Sequence, residues 1–127
     1  MNSYPEYDSI TAEIVDAAIE VHRHLGPGLL EEAYKRCLAY ELMSRGLKVE
    51  VELSLPIKYK ELRIDHGYRI DILVEDAIVI ETKTVEKFSS VHTAQVLTYL
   101  TLGGHPIGFL MNFHVTKMKY GIKRFVL

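Results

Sequence analysis

The spacing of apolar residues changes several times along the chain, and each change predicts an element. Ile10, Ile14, Ala17, Ala18, Val21 and Leu25 recur at helical spacing over 9–25, with Asp8 or Ser9 as a cap and Gly26-Pro27 as a stop. A second helix is predicted from 29 to about 45. Leu30, Ala33, Tyr34, Cys37, Leu38 and Leu42 form its stripe, and Gly46 ends it. The Gly26-Pro27-Gly28 link forces a sharp turn and sets Glu31 and Tyr34 on the opening turns of this helix. From Lys48 the period falls to two, with Val49, Val51 and Leu53 alternating with charged residues as in a half-buried strand. Pro56 suits a strand start or an edge. Short extended pieces at 57–59 and 62–64 flank a Lys60-Glu61 turn, and His66-Gly67 reads as another turn. The strongest strands, 68–75 and 78–83, are rich in Ile and Val and joined tightly through Glu75-Asp76-Ala77. A third helix, capped by Ser89 or Ser90, carries Val91, Ala94, Leu97 and Leu100 and ends at Gly103-Gly104. An apolar strand at 107–113 and an edge strand at 122–126 complete the order α-α-β-β-β-β-α-β-β. Residues 1–127 thus read as one α/β domain, a mixed sheet with helices packed against it.

Charged residues interrupt the apolar pattern at one place. A hairpin turn centred on Asp76 puts Asp71 opposite Glu81, and Lys83 shares the face of Glu81. Leu73 and Val79 accompany this group, while Ile70, Ile72 and Val74 line the other face with Ile78 and Ile80. Opposed side chains have Cβ atoms about 4.5–5.5 Å apart, where like charges repel. Buried ions also lose hydration unless they are paired or bound to metal. A divalent cation relieves both problems, since hard cations take Asp and Glu oxygens. Lys83 beside it can orient a water or stabilise charge growing on a phosphate. Each residue singly also reads as part of a Lys83–Asp71/Glu81 surface salt bridge; the three at this spacing read as a site.

Composition narrows the chemistry further. With 48% hydrophobic and 25% charged residues the chain is not disordered. No apolar run nears the roughly 18 residues of a membrane span. The segment Met1 to Tyr7 lacks the basic and apolar regions of a secretory signal, so a cytoplasmic protein is expected. A single cysteine, Cys37, excludes an internal disulfide and a Cys-rich zinc site, and its helix position predicts a buried thiol. A net charge of −2 excludes nucleic-acid binding through bulk positive charge. Any such contact falls to a bound metal or to local clusters: Lys58, Lys60, Arg63 and Arg69, or Lys117, Lys119, Lys123 and Arg124. His22 and His24 point about 200° apart on a helix and do not share a metal. His66, His92, His105 and His114 fall near turns or element ends, where capping and solvation are the default.

The ordered set of motifs resembles a known family. Asp71, nine residues, then Glu81-Thr82-Lys83 is similar to the D…ExK motif of the PD-(D/E)xK nuclease superfamily. Gly28-Leu29-Leu30-Glu31-Glu32-Ala33-Tyr34 resembles the signature of its GxxExxY branch. The likeness continues through 22–28, 68–74, 95–100 and Asn112-Phe113. It implies a restriction-endonuclease-like core and a metal-dependent nuclease that hydrolyses phosphodiester bonds, with DNA the expected substrate. It also implies that Asp71, Glu81 and the Thr82 carbonyl hold Mg²⁺ or Mn²⁺, that Lys83 positions or activates water, and that Glu31 completes the metal site directly or through water. Gln95 and Tyr99 resemble the QxxxY element of RecB-like nucleases, which meets the substrate backbone. His22 resembles a helix histidine that serves some RecB-like members as a ligand. Blander roles stand beside these: Glu31 as an acid favoured by the helix dipole, and Tyr34 and Tyr99 as packing residues. Some superfamily members have lost cleavage, so the alternative is a catalytically silent nucleic-acid or protein binding module. The small size also suits a homodimer or a larger DNA-processing assembly, with 122–127 as the edge for a second copy.

Overall fold

The computed structural model describes residues 3–127. Among the described residues, five strands form one sheet in chain order: β1 (Val49–Tyr59), β2 (Leu62–Val74), β3 (Ile78–Lys83), β4 (Ile107–Asn112) and β5 (Ile122–Val126). Neighbours are antiparallel except β3 and β4, which run parallel. Parallel neighbours need a crossover, and α3 (Ser90–Gly103) supplies it. Two further helices, α1 (Asp8–Leu25) and α2 (Glu31–Ser44), cover the opposite face. Ile14, Ala17, Val21, Leu38 and Leu42 pack there on Ile72, Val74, Ile78, Ile80, Phe109 and Met111. On the α3 face, Val96 and Leu100 meet Leu73, Val79 and Leu110. The mixed α/β architecture expected from the periodicity is the one that forms. No described helix is long and apolar enough to cross a membrane.

Three strands precede α3 rather than four. The pieces expected at 49–53 and 57–59 are one strand, as are those at 62–64 and 68–74. Pro56 and Gly67 look like breakers, but they lie together where the β1–β2 register shifts between Leu55 and Ile57. A Cβ on Gly67 would lie 2.5 Å from Ile57 Cγ1, so glycine here makes room for the neighbouring strand. His66-Gly67 is therefore inside β2 and not a turn.

The turn that sets the β2–β3 register is as expected. Glu75, Asp76 and Ala77 join Val74 to Ile78, with Glu75 at φ +52° and Asp76 at +56°. Lys48 secures these unfavourable conformations: its Nζ lies 2.8 Å from Asp76 Oδ2, and its backbone N–H donates to Glu75 Oε2.

Helix ends and faces differ from expectation at several points. Neither Asp8 nor Ser9 caps α1, which continues from a 3-10 turn at Pro5–Tyr7. Leu30 precedes α2 and is 80% exposed, and Cys37 is exposed rather than buried. The buried side of α2 is Tyr34, Lys35, Leu38, Ala39 and Leu42. In α3, Val91 and Leu97 face outward, and Val96 and Leu100 form the buried side. Gly108 decides this, because a Cβ there would lie 2.8 Å from Val96 Cγ1. Ser89 caps α3 as expected, and its backbone N–H donates to His92 Nδ1 at 3.1 Å. At the far edge, β5 exposes Lys123 and Arg124, residue types that discourage edge-to-edge pairing.

Candidate active site

The parallel pair β3 and β4 ends at Lys83 and Asn112, which are partners in the ladder. Carboxyl ends of parallel strands are where open α/β sheets bind ligands. Asn112 ties the loops leaving this end together. Its Oδ1 accepts from the N–H groups of Val85 and His114, and its Nδ2 donates to the Val85 carbonyl.

The β2–β3 ladder runs only as far as Ile72 and Ile80. Beyond it, side chains replace the backbone ladder. Asp71 N–H donates to Glu81 Oε1 at 3.2 Å. Thr82 N–H and Thr82 Oγ1 both donate to Asp71 Oδ2 at 3.0 Å. Strict alternation also fails here, for Ile70 packs with Leu73 and Val79 instead of with Ile72 and Val74. Glu52, on the adjoining β1 strand, sits at φ +53° between the pairs Val51↔Ile72 and Leu53↔Ile70. The sheet is thus reshaped where its two carboxylates meet.

Glu81 is 2% exposed. Burial, reinforced by the charge of Asp71, pushes its carboxyl up to about 9. The Asp71 N–H and Lys83 pull the other way without prevailing. Among the described residues, Lys83 makes no ion pair with Asp71 or Glu81, so the surface salt bridge is not what forms. Glu31, on the first turn of α2, belongs to the same electrostatic group. Burial raises its carboxyl first, Asp71 adds to this, and Lys83 and Lys35 oppose it.

Tyr34 explains how Glu31 arrives there. It is fully buried and stacked on Phe113, with ring centroids 4.7 Å apart. Its hydroxyl donates to the Gly26 carbonyl at 2.5 Å and accepts from Leu29 N–H at 3.1 Å. The tyrosine therefore packs, as expected, and also clamps the turn that launches α2.

A family model of the PD-(D/E)XK nuclease superfamily matches residues 8–125. The chain belongs to this superfamily. No curated protein and no solved structure matches it. The observed order α-α-β-β-β-α-β-β, with its mixed sheet, is the restriction-endonuclease-like fold of these nucleases.

The remaining motif residues are placed as follows. Gln95 Nε2 donates to Tyr99 Oη at 3.1 Å, and the Tyr99 ring lies 5.0 Å from that of Tyr68. This pair is engaged on the α3 face, and no hydrogen bond joins it to Asp71 or Glu81 among the described residues. His22 Nε2 donates to the Val115 carbonyl at 2.7 Å, and the ring borders a 360 Å³ hollow shared with Lys117 and Lys119.

Two residues escaped the sequence reading. Lys35 is 4% exposed, and its Nζ lies 2.7 Å from Glu52 and 2.8 Å from Glu32. Burial pulls its ammonium down, but hydrogen bonds to both carboxylates hold it above the usual range. It thereby anchors the displaced Glu52 beside Asp71. One signal was available, since Lys35 lies one helical turn after Glu31 on the same face.

The donor set suits a hard divalent ion: two carboxylates on adjoining strands, each bonded to the other strand's backbone and one of them buried, with the Thr82 backbone alongside. Among the described residues, no three His, Cys, Asp or Glu side chains form a ready-made metal cluster. Mg²⁺ commonly takes one or two carboxylates and completes its shell with water and substrate phosphate, so two suffice.

Proposed function

We propose that the protein is a divalent-metal-dependent nuclease acting on DNA. One observation carries this reading: Asp71 and Glu81 are brought together by hydrogen bonds from Thr82 and from the Asp71 backbone, with Glu81 almost wholly buried. Asp71 and Glu81 are the proposed ligands of Mg²⁺ or Mn²⁺, with the Thr82 carbonyl assisting and Glu31 contributing directly or through water. Bound there, such an ion supplies positive charge to a phosphate oxygen and acidifies a water. Lys83 orients the attacking water and stabilises charge accumulating on the phosphate. Water adds to phosphorus, the bond to the 3′ oxygen breaks, and that oxygen leaves with a proton. His22 is left out of this proposal, since the Val115 carbonyl occupies its Nε2. Gln95 and Tyr99 are proposed to meet the substrate backbone from the adjacent face.

The test is a substrate panel of single-stranded, duplex and branched DNA together with RNA, with and without Mg²⁺ or Mn²⁺. DNA cleavage that requires metal is expected. Binding without turnover on every substrate overturns the proposal in favour of a silent module that keeps the nuclease fold.

A further inference from the structure

The outer parts of β1 and β2 form a two-stranded arm beyond Pro56 and Gly67, closed by a turn with Lys60 at φ +52°. A free hairpin is marginally stable by itself. This one is held by a zipper of cross-strand partners, Ile57 with Ile64 and Tyr59 with Leu62. On the alternate positions Lys58 stands directly across from Arg63, where like charges destabilise an antiparallel pair. Between Lys58 and Asp65 the arm carries three cations and two carboxylates, with Arg63 Nε 2.9 Å from Asp65 Oδ1, in a chain whose net charge is −2. All three cations are exposed. The arm keeps an excess of positive charge, since Lys58 and Lys60 have no carboxylate partner among the described residues and the Arg63–Asp65 pair is itself open to solvent.

The arm is continuous with the site. Arg63 lies eight residues before Asp71 on β2, a reach of up to about 26 Å at the rise of an extended strand. That is the length of roughly eight base pairs. The major groove of B-form DNA also admits a two-stranded ribbon.

We infer that the Lys58–Arg63 arm grips the phosphate backbone of duplex DNA within about eight base pairs of the carboxylate pair. The identity of the ligand rests on the nuclease reading above. The anionic backbone neutralises Lys58, competes with the exposed Asp65 for Arg63, and takes a third contact from Lys60 at the tip.

The test measures binding of a 30-base-pair duplex in EDTA across a range of KCl concentrations. Wild type is compared with a Lys58→Gln, Lys60→Asn, Arg63→Gln variant. Asparagine is used at position 60 because it tolerates the left-handed backbone. The variant is expected to bind at least tenfold more weakly at low salt, and its log–log salt slope is expected to fall by about 2 to 3. Unchanged affinity and slope, or a wild type with no duplex binding, overturns the inference. Arm-dependent binding by a protein that never cleaves retires the nuclease reading and leaves this one standing. Cleaving wild type with an unaffected variant retires this inference alone.

Discussion

Asp71→Asn is expected to reduce metal-dependent DNA cleavage at least about 100-fold while the protein stays folded. The size follows from removing one preorganised charge from a site that stabilises a transition state. Asparagine retains an oxygen that can accept from Thr82, as Asp71 Oδ2 does, so the β2–β3 junction keeps its hydrogen bonds. What it loses is a carboxylate charge against Glu81 and any bound cation. Lys83→Met is expected to bring a loss of about 100- to 1,000-fold by a different route. Lys83 has no ion pair with either carboxylate among the described residues, so metal binding survives this change while turnover does not. Single-turnover cleavage, run beside circular dichroism and thermal melts, separates the two. A purely structural role for these residues predicts the opposite outcome, loss of stability with activity unaffected.

The second large effect is on stability as a function of pH. Glu81 keeps its proton in the folded, metal-free protein up to about 9, against 4.5 for an ordinary glutamate such as the unfolded chain presents. Between those values the folded state holds the extra proton. Stability from this group is therefore complete below about pH 4.5 and is lost as pH rises through 9. Glu31 is raised in the same direction and adds to the trend. A tenfold change in proton affinity is worth about 1.4 kcal/mol, so the loss is on the order of a few kcal/mol. Urea unfolding in EDTA from pH 5 to 9 is expected to show this decline. Glu81→Gln, which resembles the protonated side chain, is expected to flatten it and to match wild type at pH 5. Mg²⁺ or Mn²⁺ should restore more stability at pH 9 than at pH 6, since at the lower pH the metal must first displace the proton.

Legibility in the sequence followed how local the determining interactions are. The meeting of Asp71 and Glu81 could be read because a three-residue turn fixes the register from Val74↔Ile78 to Ile72↔Ile80. The break in alternation at Ile70 is set by the adjoining strand and was not visible. Glu31 was placed by the short glycine-proline link, although the hydroxyl clamp of Tyr34 on Gly26 and Leu29 became visible only in three dimensions. The long arm was hidden because Pro56 and Gly67 each signal a break along their own strand, whereas across the sheet they accommodate each other. The face of α3 was hidden for another reason. The helix has no Asp, Glu, Lys or Arg, and its Ser, His, Thr and Gln residues are spread around it, so spacing alone does not choose a side. The choice is made by Gly108 on a different element. Lys35 and Glu52 form an ion pair 17 residues apart, which periodicity does not encode.

Calorimetric titration of Mn²⁺ into metal-free wild type at pH 7, repeated in buffers of different ionisation enthalpy, bears most directly on the carboxylate pair as a metal seat. Saturable binding with release of a proton is expected, and Asp71→Asn should lose it. Equal binding heats in both proteins, or wild type with no binding at all, would contradict a dication held between Asp71 and Glu81.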